Sequence, residues 1–201
     1  MTILPLSPFP NGYWLSFYLS ADEVVLDAHE NYIKQSWRNR YDILSANGSM
    51  ALTIPVVGQN GQKVAVRDIR IAPGAWKKQH WQSIKSAYGS APYFIHYADE
   101  IEEFFATDFK WLRDFNLTSL KLVHQWLEIE QPLPMSEEYV DNATARDVRK
   151  EFKPTQTNFI TPPYPQVFEA KMEFVSNLSV IDLIMNEGPM AMAYLRQLAK
   201  P

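Results

Sequence analysis

The sequence predicts a mixed α/β or α+β protein. A strand-rich amino-terminal third, carrying a mixed sheet of about five strands, is covered by carboxy-terminal helices. Three observations predict it. The first 27 residues alternate a short apolar run, a breaker cluster, an aromatic run and a β-branched run. Two strand-like runs then flank Asn47-Gly48, a strong short hairpin signal. After Pro73-Gly74 the apolar residues recur at spacings of three and four, the period of a helix face.

Thr2 to Leu6 reads as a strand, Ser7 to Gly12 as a breaker cluster, Tyr13 to Leu19 as a helix and Glu23 to Leu26 as a second strand. That order makes a small β-α-β unit, with ligands expected at the carboxyl ends of its strands. The loop has a single glycine, Gly12, so it is no phosphate-cradling GxGxxG loop. Tyr41 to Ala46 and Ser49 to Val57 form the hairpin, and Gln59-Asn60-Gly61 a further turn. Val64 to Ile71 alternates apolar and polar residues with a one-residue slip near Asp68, which predicts a strand with a bulge. Helices are expected over Trp76 to Tyr88, Pro92 to Phe105 and Trp111 to Leu127. Pro132 to Pro165 reads as surface loop, a lid or a connector, with a helical piece near Thr144 to Phe152. Helices return at Ser179 to Asn186 and Met190 to Leu198, broken by Gly188-Pro189. Ser179 suits the N-cap, with Asp182 three residues on and Asn177 and Asn186 as further capping candidates. No repeat or linker divides the chain, so residues 1–201 are read as one domain.

Composition narrows the chemistry. The 201 residues contain no cysteine, which excludes disulfides, a thiolate nucleophile and Cys-ligated metal. The four histidines have no metal-ligand spacing, so no metal site is expected. The net charge of −4 argues against general nucleic-acid binding. No apolar run reaches about 18 residues and no signal peptide is read at the amino terminus. A cytoplasmic protein is therefore expected. Six basic residues stand against one acid between Lys63 and Lys85, a segment able to draw an anion. Acids dominate Asp99 to Asp114 and Glu128 to Glu151.

The segment with the densest chemistry is residues 29–40, directly after the second predicted strand. It holds Tyr32, Lys34, Trp37, Arg38, Asn39 and Arg40. Two arginines bracketing an asparagine suit a carboxylate or phosphate, because each guanidinium offers a planar fork of donors. Tyr32 or Trp37 would stack on a sugar or base. Trp76 and His80, four residues apart, share a helix face, and His80 would act as acid/base. The competing reading makes the arginines ion pairs and His80 a packed core residue.

Several segments together resemble the WbqC-like family, found in bacterial polysaccharide and O-antigen gene clusters. They are Pro8-Phe9-Pro10 with Gly12-Tyr13-Trp14, the run Asn31 to Arg40, Leu52-Thr53-Ile54-Pro55-Val56, and Ile69, Trp76, His80-Trp81. Tyr88 to Phe94, Tyr164 to Phe168 and Asn177 to Leu183 complete the set. Asn186-Glu187-Gly188-Pro189 looks like the Bacteroidetes-type version. The resemblance implies an enzyme of cell-surface polysaccharide biosynthesis, with acyl- or aminoacyl-type transfer onto an activated sugar. The alternative it leaves is a non-catalytic ligand-binding or scaffold protein of the same pathway. It implies a shared site in which Lys34 and His80 are catalytic and Tyr32, Trp37, Arg38, Asn39, Arg40 and Trp76 bind substrate. The expected partner is a small anionic substrate, a nucleotide sugar or acyl donor; no cofactor is named, and a homo-oligomer is compatible. Many members carry His-Gln-Pro at the end of the first strand, where this chain has Leu6-Ser7-Pro8. His29 or His80 would then replace that histidine.

Overall fold

The computed structural model describes residues 1–58, 62–141, 143–153 and 159–199. The turn expected at Gln59-Asn60-Gly61 lies outside the described residues. The chain opens with strand β1 (Thr2–Pro5), helix α1 (Gly12–Ser20) and strand β2 (Val24–Asp27). β1 and β2 pair in parallel, so the predicted β-α-β unit is present. Asn11 caps α1 by accepting from the Trp14 backbone N–H at 3.0 Å, one of the donors a helix start leaves without an intrahelical partner.

The hairpin follows as β3 (Arg40–Ser45) and β4 (Gly48–Thr53), paired antiparallel. Its two-residue loop is Ala46-Asn47, one position before the predicted Asn47-Gly48. The positive φ falls on Gly48, at 101°, where a side chain would be strained. Alternation along β3 sends Tyr41 and Ile43 into the core and leaves Arg40 and Asp42 half-buried on the other face.

Two expectations are corrected. Val64 to Ile71 is not a strand: its centre, Val66–Asp68, is a 3-10 turn. Its backbone is claimed by scattered partners, with Val66 N–H donating to Glu30, Arg67 N–H to Ala28 and Ile71 N–H to Lys110. No single neighbouring strand presents them in register. Residues 144–152 contain no helix; Arg146–Asp147 forms β5, parallel to β1 on the side away from β2. The open edge of β1 decides this, accepting from Arg146 and Val148 N–H through the carbonyls of Met1 and Ile3. The five strands thus form a three-stranded parallel sheet, ordered β2-β1-β5, and a separate hairpin.

The remaining elements are α2 (Trp76–Tyr88), α3 (Phe94–Ala106), α4 (Leu112–Trp126), α5 (Val180–Glu187) and α6 (Ala191–Leu198). Ser179 caps α5 by accepting from Ile181 N–H, and its hydroxyl donates to the Phe9 carbonyl at 2.8 Å. Asp182 does not close a capping box; its carboxylate accepts from Tyr164 and Gln166. Asn177 caps a different helix, accepting from Tyr13 N–H at the start of α1. Phe9 anchors the core. Although its φ is 39°, its ring is fully buried among Tyr41, Phe104, Phe115 and Trp126, and aromatic burial of this size outweighs the backbone cost. No described helix is long and apolar enough to cross a membrane.

Candidate functional site

The carboxyl ends of the three parallel strands converge on a buried charge cluster. Asp27, the last residue of β2, is fully buried and pairs with Arg149, just beyond β5. Arg149 also forks onto Asp147, with Nε to Oδ1 at 2.9 Å and Nη2 to Oδ2 at 2.7 Å. Three residues after Asp27, Glu30 accepts from Arg38 Nε at 2.8 Å and Nη2 at 2.6 Å. Arg38 Nη2 also donates to the Arg149 carbonyl at 2.8 Å. Burial pushes the Glu30 carboxyl up from its ordinary value, and the Arg38 guanidinium works against that shift. This bidentate pair is the charge-assisted kind that fixes geometry.

Above this floor the chain from Asn31 to Arg40 is pinned at several points. Ser36 Oγ donates to the Ile33 carbonyl at 2.6 Å, and Asn116 Nδ2 donates to the Arg38 carbonyl at 2.8 Å. Asn39 ties the loop to the end of β4, its Nδ2 donating to the Ile54 carbonyl while its own carbonyl accepts from Ile54 N–H. The loop therefore walls a cavity of about 370 Å³ lined by Tyr32, Lys34, Gln35, Asn39 and Arg40, with Thr53 and Val56 to Gly58 opposite. Lys34 is exposed, and Arg40 keeps a third of its side chain accessible while its Nε donates to Asp42 Oδ1 at 2.9 Å. Among the described residues no hydrogen bond takes up the two terminal nitrogens of Arg40.

The eight residues singled out by sequence thus divide. Tyr32, Lys34, Asn39 and Arg40 come together. Trp37 lies on the wall of a neighbouring cavity. Arg38 is 1% exposed and its fork is spent on Glu30, so it supports the loop from below. Trp76 and His80 are buried on the inner face of α2, and His80 also meets the backbone of Thr53, a residue that lines the cavity. His80 Nδ1 shares a 2.9 Å hydrogen bond with the Tyr41 hydroxyl, and its ring packs on Trp76 and Phe105. Desolvation lowers its pKa to about 4, so the ring is neutral and enclosed. At the end of β1, Leu6 is fully buried and Ser7 Oγ donates to the Trp37 carbonyl. His29 is half-buried, in contact with Arg67. The basic segment 63–85 is dispersed: Arg67 pairs with Asp68, Lys77 with Asp108, and Arg70 and Lys85 lie over Trp111 and Trp81.

Sequence reasoning missed Gln35, Thr53 and the Val56 to Gly58 wall, which reach the cavity only because the Asn39–Ile54 bonds fold the loop against the end of β4. The competing reading of the segment pairs its arginines with Glu23, Asp27 or Asp42, and Arg40 does pair with Asp42. A larger cavity, about 650 Å³, lies elsewhere. Among the described residues Asp22, Glu23, Glu128 and Glu130 line it against one cation, Arg196, and such a surface repels the anionic ligand that Lys34 and Arg40 attract.

The profile of the WbqC-like protein family matches residues 8–152 and 149–194. An uncharacterised protein of Mycobacterium tuberculosis is 24% identical over 206 residues, covering 87% of this chain and 88% of its own. No solved structure matches. The family match takes in the loop after β1, the charged floor, the cavity loop and the segment carrying Asn177. By that coverage of both its fold and its candidate site, the chain belongs to the WbqC-like protein family.

Proposed function

We propose that this protein is an enzyme of bacterial cell-surface polysaccharide biosynthesis. It binds an anionic substrate, a nucleotide sugar or an acyl donor, and moves an acyl- or aminoacyl-type group from the donor's carrier onto a hydroxyl or amine of the activated sugar, releasing the carrier and a proton. The observation that carries the reading is the cavity of Tyr32, Lys34, Asn39 and Arg40. Two cations and an amide meet in one concavity beside the carboxyl ends of a parallel sheet, where α/β folds place their ligands. The loop bearing them rests on a buried ion pair, so the donors are organised before the ligand arrives. Lys34 and Arg40 hold the phosphate or carboxylate, Tyr32 offers its ring, and Lys34 is the group placed to neutralise charge that develops on the donor. His80, buried behind Thr53, is assigned no role in this reading.

One observation favours a second reading, a non-catalytic ligand-binding protein of the same pathway. The titratable groups of the cavity wall are Tyr32, Lys34 and Arg40, a set that binds anions more readily than it moves protons at neutral pH. A thermal-shift series against nucleotide sugars and coenzyme A thioesters tests the site. A ligand at about 100 times its Kd adds ~2.7 kcal/mol, or roughly 5–10 °C for a chain of this size. The expected result is such a shift, abolished in Lys34→Ala and Arg40→Ala. No shift with any anionic ligand refutes both readings. A shift without product, whichever sugar acceptor is added, selects the second.

A further inference from the structure

Beyond Arg40 the surface does not close. A narrow recess of about 10 Å³, room for no more than one water, shares Arg40 with the cation cavity. It shares Trp37, Asp42 and Asn177 with another cavity of about 420 Å³. That second cavity is walled chiefly by Trp37, Asp42, Ser49, Phe159, Val175 and Asn177. The Arg40–Asp42 pair stands between the two compartments, on one face of β3, its side chains 33% and 18% exposed.

The compartments differ in chemistry. The first presents Lys34 and Arg40. The second has Asp42 as its charged wall residue, with aromatic rings from Trp37 and Phe159 and neutral polar groups from Ser49 and Asn177. Tyr13 N–H donates to Asn177 Oδ1 at 2.9 Å, which orients the amide, and no hydrogen bond among the described residues uses its Nδ2. Asp42 commits Oδ1 to Arg40, and a carboxylate has further lone pairs to offer. An acceptor, an oriented amide donor, a hydroxyl and aromatic carbon suit a neutral polyhydroxylated ring. Hydroxyls pair with the polar groups and the C–H face lies on carbon. A phosphate there would meet the Asp42 carboxylate, so the two ends of a ligand are sorted by charge.

We infer that the cavity of Trp37, Asp42 and Asn177 is a sugar compartment, and that the ligand of this protein is a sugar joined to an anionic group, lying across Arg40. The inference rests on the anion-binding reading of the Lys34 cavity and adds the neutral half of the ligand. Arg40 then has two tasks, holding the anion through its terminal nitrogens and holding Asp42 through Nε.

Isothermal titration tests it, with UDP, GDP, CDP and dTDP each measured beside a sugar-bearing counterpart. Val175→Trp fills the second cavity without touching Lys34 or Arg40. Ser49→Tyr, at an exposed position of β4 on the same cavity, serves if the tryptophan variant loses its circular dichroism spectrum. The expected result is that at least one sugar-bearing member binds about tenfold more tightly than its bare diphosphate. That gain disappears in the filled variant while the bare diphosphate binds as before. The inference is overturned if the sugar adds nothing in any pair, or if the gain survives the filled cavity. Should no diphosphate bind, the anion reading fails by itself. Saturation-transfer NMR with free glucose, galactose and N-acetylglucosamine then judges the compartment: transfer lost in Val175→Trp upholds it, and no transfer overturns it.

Discussion

Glu30 and Arg38 are the pair whose disruption tests the architecture of the site most directly. Arg38 is 1% exposed and makes three side-chain hydrogen bonds, two to the Glu30 carboxylate and one to the Arg149 carbonyl. Its Nη1 is buried without a partner among the described residues. Replacing Glu30 with methionine removes two of the three bonds and leaves a guanidinium enclosed with no counter-charge. Breaking a buried pair from one side costs about 3–5 kcal/mol, which is a fall in Tm of roughly 6–20 °C for a chain of this length. The double variant Glu30→Met with Arg38→Met removes both charges together with the unsatisfied Nη1, and it is expected to be more stable than either single variant. Urea unfolding followed by tryptophan fluorescence at pH 7 measures all four proteins of the cycle. Additive losses, or a Glu30→Met cost below about 1 kcal/mol, would refute the reasoning, because a coupled buried pair cannot give either. An Arg38→Met protein of full stability that no longer binds anions would show that Arg38 touches the ligand after all.

Three further outcomes are expected. The pKa of His80 is lowered from 6.5 to about 4 by burial, so the unfolded chain takes up its proton first as pH falls. Stability from this group is complete above about pH 6.5 and drops by about 3 kcal/mol on the way to pH 4; His80→Gln should flatten that slope in pH-dependent urea melts. Asp182 is shifted the other way, raised above 3.8 by full burial against the hydrogen bonds of Tyr164 and Gln166. Its ionisation therefore opposes folding as pH rises, and Asp182→Asn should be at least as stable as the parent at pH 8, with the advantage shrinking toward pH 4 in the same melts; a large loss at pH 8 contradicts this. Gly188 has φ 52°, and a Cβ there would sit 2.4 Å from the Tyr93 ring. Gly188→Ala should cost about 1–3 kcal/mol, seen as a lower Tm by circular dichroism, and Tyr93→Ala in the same chain should recover part of it.

The fold was legible wherever a segment's own pattern agreed with its surroundings. The apolar runs and breakers of the first 27 residues returned β1, α1 and β2. The helix period returned α2 at its predicted bounds, because Trp76, His80, Ile84 and Ala87-Tyr88 all face the core. Legibility failed where backbone partners came from far along the chain. The alternation of Val64 to Ile71 resembles a strand, yet its N–H groups find Glu30, Ala28 and Lys110. Arg146-Asp147 sits in a helix-like stretch but completes the edge of β1, more than 140 positions away.

By itself, the sequence determined that residues 29–40 follow a strand end and concentrate cations and amides. It also determined the hairpin and the helical cover. Only the tertiary structure decided what each polar residue does. Arg38 and Arg40 are chemically identical and two positions apart, but one is pinned beneath the loop by Glu30 and the other stands over a cavity, its terminal nitrogens taken up by no hydrogen bond among the described residues. His80 is the natural acid/base by residue type, and packing places its ring in the core against Tyr41 and Phe105. Asn177, 137 residues beyond Arg40, reaches the same groove because Tyr13 N–H and the cap of α5 hold it there. Periodicity encodes which face of an element is apolar, a local property. Which polar atoms are left free after folding depends on partners brought together by packing, and no local pattern records them.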